Sequence, residues 1–298
     1  MKYRRAALIG SSVANVIAIL SLIFRGLNFG VDFEGGVILE VTYSTAADVP
    51  SIRKDLEDAG IQDARVQTYG STSDVLIRLP APPDASNTNE LELRLMGILS
   101  EHHPDVQKQR LESVGGQVGS ELAENGALAM LFALIMIFAY VMLRFRWKLA
   151  LGAIVATVHD VMVTVGIFSL LQWQFDLVVL GSVLAVLGYS LNDTVVVYDR
   201  IRDNFRIMRR STPHAVVDAS VNQTLARTLM TGVTSLLVLI ALLFLGGDTL
   251  WGFSVALIIG ILVGTYSSIY VASAMALALN VTAADLVSEK RKEVDEMP

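Results

Sequence analysis

Apolar and polar positions divide the chain into six long hydrophobic runs and one intervening stretch, about a hundred residues long, with the patterning of a soluble unit. The runs cover 6–24, 126–143, 149–171, 177–198, 229–245 and 251–279. Each is close to the roughly 20 residues that cross a bilayer core as a helix, so six transmembrane helices are predicted. Between the first two runs the period changes. "VILEVTYS" (37–44) alternates as a strand does, and Asp48, Pro50 and Gly60 mark the start and stop of a helix. "ARVQTY" (64–69) and "DVLIRLP" (74–80) predict strands separated by the turn-formers "GSTS". An amphipathic helix follows over 88–104, closed by Pro104, and "VQKQRLESV" (106–114) predicts a last strand.

The order βαββαβ is the ferredoxin-like, split βαβ arrangement. The predicted fold class is an α-helical membrane protein with six transmembrane helices plus a small α+β ferredoxin-like extracytoplasmic domain between spans 1 and 2. The predicted division is 1–25, cytoplasmic N-terminus and first helix; 26–122, the extracytoplasmic domain with glycine-rich hinges; 123–280, helices 2–6 with a cytoplasmic loop at 199–228; and 281–298, a cytoplasmic tail. Orientation follows the basic residues, which stay on the cytoplasmic side of short loops. Lys2, Arg4 and Arg5 precede the first span, "RFRWK" joins the second and third, and Arg200, Arg202, Arg206, Arg209 and Arg210 follow the fourth. The opposite connectors "QWQFD" and "GGDTLWG" hold no Lys or Arg, so both termini are predicted inside. The first apolar run is too long for a signal peptide and is read as a retained anchor.

Composition agrees with a membrane protein: 53% of residues are hydrophobic and 17% charged, below the quarter usual in soluble domains. The net charge of −6 offers no nucleic-acid footprint, and its distribution is uneven, with sixteen acids against eight bases over 25–121. There is no cysteine, so thiolate metal sites and disulfides are excluded. His102 and His103 adjoin Pro104 without a third ligand at suitable spacing and read as solvated, and "APPDASNTN" (81–89) as a polar loop. No phosphate-cradling P-loop occurs. Neither a catalytic residue, a metal nor a cofactor is predicted, and the chain is read as a non-enzyme.

The candidate chemistry lies inside the apolar runs. Asp193 interrupts the fourth, where an acid near the helix centre costs about 2.5–3.5 kcal/mol and each Leu or Val returns only about 0.3–0.6. It lies roughly 9 Å inward of Asp199 at the helical rise. Ser182, Val186, Tyr189 and Asp193 fall on one stripe, and Gly181, Ala185, Gly188 and Asn192 on the next, a small-residue surface suited to another helix. Arg227 opens the fifth run, with Thr231, Thr234 and Ser235 on its face, and can reach Asp193 if the helices are neighbours. In the third run Thr157, Asp160 and Thr164 share one side, with His159 about a quarter-turn away. Polar glue between helices and a proton relay are both open to these groups. The relay reading assigns Asp193, Arg227 and Asp160 as relay residues, with protons as coupling ion and Asn192, His159, Tyr189 and Thr231 in support. The sixth run carries Gly260, Gly264, Ser268, Ala272 and Ala276 at strict four-residue spacing, a packing seam. "DFEGG" (32–36) and "VGGQVGSEL" (114–122) bracket the soluble stretch, and Asp32, Gly35, Gly36, Gly115 and Gly116 are read as hinge positions where φ above zero and close backbone approach are possible.

Taken in order, "VDFEGG", "VHDV", "GYSLNDTVVVYDRIRDNFR", "TLARTLMT", "LWGFSVALIIG" and "GTYSSIYVASAMAL" resemble the SecF branch of the SecD/SecF family, within the RND superfamily. The resemblance implies a subunit in the bacterial inner membrane that uses the proton-motive force, with SecD, to promote late stages of polypeptide export through SecYEG after SecA has acted. YajC and YidC are further associates that it implies. The family's proton-path aspartate and arginine fall on Asp193 and Arg227, and Asp160 on its "HD" pair. Transporters of this kind place the coupling site between two structural repeats, and one six-span unit is present here, so a partner is predicted to supply the other half. Two other classes are compatible with parts of the pattern: half of an RND small-molecule efflux pump, and an intramembrane aspartyl protease built on Asp160, Asp193 or Asp199, for which the GxGD motif is missing from the sequence.

Overall fold

The computed structural model describes residues 4–61, 64–69, 71–80 and 88–282. Lys2, most of the polar loop at 81–89 and the "KRK" tail lie outside the described residues. Among the described residues, six helices are long and apolar enough to cross a membrane: α1 (Arg4–Phe24), α5 (Gly116–Arg144), α6 (Trp147–Leu171), α7 (Leu177–Ile207), α8 (Pro213–Leu245) and α9 (Asp248–Ser267), the last continued by a π-helical turn, Ser268–Ala272, and by α10 (Ser273–Ala278).

The centre of the bundle is the contact of α7 with α9. A Cβ on Gly260 would stand 2.1 Å from Val186 Cγ2, and one on Gly264 would stand 3.2 Å from Ser190 Cβ. One turn on, Ser268 Oγ and Thr194 Oγ1 are 2.9 Å apart, and Tyr198 Oη donates to Ala272 O at 2.9 Å. The rows 260, 264, 268, 272 and 186, 190, 194, 198 therefore meet step for step, an i±4 ridge against an i±4 ridge. Four-residue steps overshoot the 3.6-residue α-helical turn. The wider π turn at Ser268–Ala272 takes up part of that drift. α6 closes the other side, with Gly152 under Tyr198 Oη and Gly166 against Ala18 of α1, where an added Cβ would come within 2.3 and 2.2 Å. α1, α5 and α8 keep large apolar side chains turned outward, Ile23, Leu143 and Phe244 among them.

Between α1 and α5 the chain forms β1 (Asn28–Phe29), a single turn α2 (Val31–Glu34), β2 (Gly36–Thr42), α3 (Val49–Asp58), β3 (Arg65–Tyr69), β4 (Ser71–Leu79), α4 (Thr88–His102) and β5 (Gln107–Val114). β2 to β5 make an antiparallel sheet in the order β3-β4-β2-β5. Asp48 caps α3 through Ser51 N, Pro50 sits in its first turn, and Gly60 ends it at φ +82°, as the sequence predicts. Val37, Leu39, Val41, Val75 and Ile77 point to one face and pack under Ile52, Leu56, Leu95 and Leu99 of the two helices. The other face carries Ile38 and Leu76, which meet Val31 of α2. β6 (Gln174–Phe175), between α6 and α7, pairs in parallel with β1.

Two expectations change. The residues at 199–228 are not a loop: α7 runs on to Ile207 and α8 begins at Pro213. Ile201 and Phe205 are buried with Val216 and Val217, while Asn204 Nδ2 donates to Ser220 Oγ and Gln223 Oε1, both at 2.8 Å. The apolar runs stop at the first charges, whereas the helices continue as a paired hairpin. "STS" of "GSTS" belongs to β4 rather than to a turn, because Ser71 and Thr42 hydroxyls both donate to Asp74 and hold it in the ladder.

The ladder predicts opposite outcomes at two glycines. Gly260→Ala must displace the stiff Val186 side chain and should destabilise the bundle by about 1–3 kcal/mol; Gly181→Ala, with nothing within 4 Å of the new atom, should leave the isolated chain unchanged. Thermal unfolding of the detergent-purified protein measures both.

Candidate functional site

α7 carries Asp193 three residues beyond Ser190 of the ladder. Its side chain is only 3% exposed, and Oδ2 has no hydrogen-bond partner. Arg227 of α8 is near enough to act on it electrostatically, but no ion pair joins them among the described residues. The helices are neighbours, as required for the pairing read from the sequence, and the guanidinium lies on the exposed side of α8 rather than against the carboxylate. Tyr189 Oη lies over Gly232, toward Thr231 and Ser235, without a hydrogen bond of normal geometry. Thr228 Oγ1 is likewise buried and unpaired. Buried polar atoms are nearly always bonded; with Arg202 Nε further along α7, the two helices that carry Asp193 and Arg227 hold four that are not.

The same side of the bundle is left open by the chain itself. Asn192, Arg227 and Thr231 are exposed, and the Gly181 and Gly188 positions meet nothing within 4 Å. Thr231 Oγ1 only returns to the Arg227 and Thr228 carbonyls, each at 3.0 Å. The predicted small stripe of α7 is thus not used for packing within this chain, whereas Gly260 and Gly264 are.

Asp160 has the opposite environment. It is fully buried, its Oδ1 lies 2.8 Å from His159 Nδ1, and its Oδ2 accepts from Ser267 Oγ at 2.6 Å and from Ser190 Oγ in a short bond. The expectation that His159 turns away is therefore corrected: the adjacent ring folds back onto the carboxylate. His159 also lies beside Tyr266, whose hydroxyl donates to Ala7 O at 2.7 Å. Asp160 joins α6, α7 and α9 at one point. Its carboxylate and that of Asp193 are not bonded to each other. Asp199 is held by Arg144, at 2.6 Å to each oxygen, and by Arg202, so the three acids form no facing carboxylate pair.

The "DFEGG" residues reach the same helix from the other end. Asp32 Oδ2 accepts from Leu177 N at 3.0 Å and Asp176 Oδ1 from Val179 N at 2.8 Å, so two acids cap the start of α7, where they also oppose its dipole favourably. Gly35 has φ +73°, and a Cβ there would lie 2.6 Å from Gly116 Cα; one on Gly119 would lie 2.7 Å from Gly35 N. The two glycine motifs form a backbone-to-backbone dock. Asp32 as a cap, and Ser190 and Ser267 as partners of Asp160, are not identified by sequence reasoning. Their only signal is a polar residue within an apolar run, and it names no partner. His102 and His103 lie 3.8 and 3.7 Å from Asp55, and no group of three or more metal-ligating side chains occurs among the described residues.

Known proteins agree with this arrangement over the whole chain. The family profile "Protein export membrane protein SecD/SecF, C-terminal" matches residues 95–282, and "SecD/SecF GG Motif" matches residues 20–47, the segment that holds Gly35 and Gly36. Relatives called "Protein translocase subunit SecF" are 45% identical in Pseudomonas aeruginosa, covering 100% of this chain and 97% of the relative, and 40% identical in Escherichia coli O157:H7, covering 97% and 90%. The crystal structure of SecDF, a translocon-associated membrane protein from Thermus thermophilus, superposes with a TM-score of 0.86 at 35% identity over 94% of this chain. This chain spans 38% of that longer chain. A super-membrane-facing form of SecDF aligns over the same share with a TM-score of 0.67. With both profiles matched and relatives 40–45% identical over nearly the whole chain, the chain belongs to the SecD/SecF family of protein-export membrane proteins, on the SecF side.

Proposed function

We propose that this chain is the SecF-type half of a proton-driven export device in the bacterial inner membrane, with both termini cytoplasmic and the βαββαβ unit, ferredoxin-like in its order, outside. A SecD subunit covers the open α7–α8 side, so that Arg227, Asn192 and Thr231 face protein instead of acyl chains. The reading rests on one observation above others: Asp193 is a buried carboxylate with an unpaired oxygen, near an arginine that does not neutralise it by contact. Such an acid is costly in a membrane unless it works. A guanidinium stays charged throughout, so the movable charge is the proton on Asp193. One charge crossing the field yields about 2.3 kcal/mol per 100 mV, enough to bias two arrangements of a bundle. No catalytic step is assigned to the chain and no cofactor is needed; protons are the coupling ion.

The route to the outer unit is short. α7 carries Asp193 in its middle and is capped by Asp32. Asp32 stands three residues before Gly35, which packs on α5, and β2 starts at Gly36. Movement of α7 against α5 would therefore swing the sheet directly and assist an unfolded polypeptide emerging from SecYEG, downstream of SecA; YajC and YidC remain proposed associates. Asp160, with its three partners, is assigned to hold α6, α7 and α9 in register next to the relay. Its relay role, with His159 in support, requires those hydroxyls to exchange their bonds. The small-molecule efflux reading lacks a comparable observation.

Asp193→Asn should leave the complex assembled and abolish stimulation of export by the proton-motive force; export into inverted vesicles, with and without an uncoupler, measures this, and full stimulation in the assembled variant counts against the relay. Arg227→Lys keeps the charge but not the planar fork and should retain partial stimulation. Asp160→Ala orphans buried donors and should cost about 3 kcal/mol, seen as a lower unfolding temperature that Asp193→Asn does not share.

A further inference from the structure

At the sheet-bearing end of the bundle, a cavity of about 460 Å³ lies between β3–β4 of the sheet, the α6–α7 connector and the first turn of α9. On one wall Arg65 of β3 and Arg78 of β4 are direct cross-strand partners. Like charges set opposite each other destabilise a sheet, and neither arginine makes an ion pair among the described residues. Arg78 is half-buried and gives one hydrogen bond, Nη1 to Phe29 O at 3.2 Å. Burial, and then the neighbouring Arg65, hold its pKa below the usual guanidinium value. Glu34, Asp176 and Asp32 offset part of this from a distance without pairing with it; Asp176 also lines the cavity, and it and Asp32 accept from the first amides of α7. The opposite wall is Trp173 and Trp251, packed edge to face with ring centroids 5.0 Å apart.

We infer that this cavity is a binding site for the phosphate-bearing headgroup of an anionic phospholipid in the leaflet next to the sheet. Two guanidiniums side by side match the geometry of a phosphate, which they can clasp with parallel N–H···O bonds. Paired indoles at the ends of membrane helices belong at headgroup depth, where one end of the ring is apolar and the other wet. A lipid supplies what a soluble anion does not, because its glycerol and first methylenes lie against the indoles while its phosphate offsets the Arg65–Arg78 repulsion. Bound there, it bridges β3–β4 to the α6–α7 connector and the start of α9 and sets how closely the sheet stands to the bundle. From the preceding reading this takes only that the six helices cross the membrane, so it stands or fails separately from the relay.

The test uses the full chain in detergent with Trp147→Phe, which leaves Trp173 and Trp251 as the only indoles. Dihexanoyl phosphatidylglycerol should change their emission in a saturable, salt-weakened titration, dihexanoyl phosphatidylcholine should not, and inorganic phosphate should need at least tenfold higher concentration. Arg65→Gln and Arg78→Gln should each weaken the phosphatidylglycerol response at least tenfold. Arg65 is exposed, so if Arg78→Gln lowers the unfolding temperature, Arg65→Gln decides the matter, with Arg65→Lys restoring part of the affinity. Equal responses to the two lipids, or variants that titrate as the parent does, overturn the inference; saturation by inorganic phosphate at the lipid's concentration overturns the lipid and leaves a free-anion site.

Discussion

The approach of α7 to α9, four residues per step on both helices, is the constraint on which the bundle depends. Gly260 and Gly264 bring the two backbones close enough for the Ser268–Thr194 and Tyr198–Ala272 bonds to form. In a bilayer such packing and interhelical hydrogen bonding replace the hydrophobic drive that assembles soluble cores. With that side of α7 fixed, its remaining polar residues divide between two environments. Ser190 falls at the contact and bonds to Asp160, whereas Asp193, three residues on, faces the α8 seam with one oxygen unpaired. One helix thus has a saturated carboxylate held beside it and an unsaturated one upon it, less than a turn apart along its length.

That division gives the chain a stiff part and a part free to respond. The Asp160 cluster, with His159, Ser190 and Ser267, ties three helices together and resists change. The Asp193 side has a charged arginine out of contact, a buried phenol without a partner and an uncovered small-residue stripe. At the far end of α7, the Asp32 cap and the Gly35–Gly116 dock leave little slack between the helix and the first strand of the sheet. A shift of α7 would be passed to the sheet through hydrogen bonds and backbone contacts rather than through a flexible tether.

Much of this was legible in the sequence because membrane helices and alternating strands write their periods plainly. The six spans, the order of the soluble unit, the Asp48 and Gly60 boundaries and the buried stripe through Ser182, Val186 and Asp193 all follow from spacing. What spacing does not carry is partnership. His159 and Asp160 are adjacent, and a helical wheel separates them by about a hundred degrees, yet a flexible χ1 brings the ring back onto the carboxylate. The Arg65–Arg78 pair is thirteen residues apart and meets only through the register of β3 and β4. The helix ends at Ile207 and Pro213 lie beyond the apolar runs because hydropathy registers lipid, while the hairpin beyond it is held by Asn204, Ser220 and Gln223. The sequence marks the glycines of "DFEGG" only as permissive, and the structure adds the reason they must be small: another backbone lies where a Cβ would be.

The central claim is that the Asp193 carboxyl exchanges a proton while its helix stays packed. Infrared difference spectroscopy on the chain reconstituted with its SecD-type partner tests this most directly, with the pH stepped on one side of the membrane. The account predicts a protonated-carboxyl C=O band that rises and falls with the step and is missing from the spectrum of Asp193→Asn. A spectrum without such a band, or one unaltered by that substitution, would contradict it.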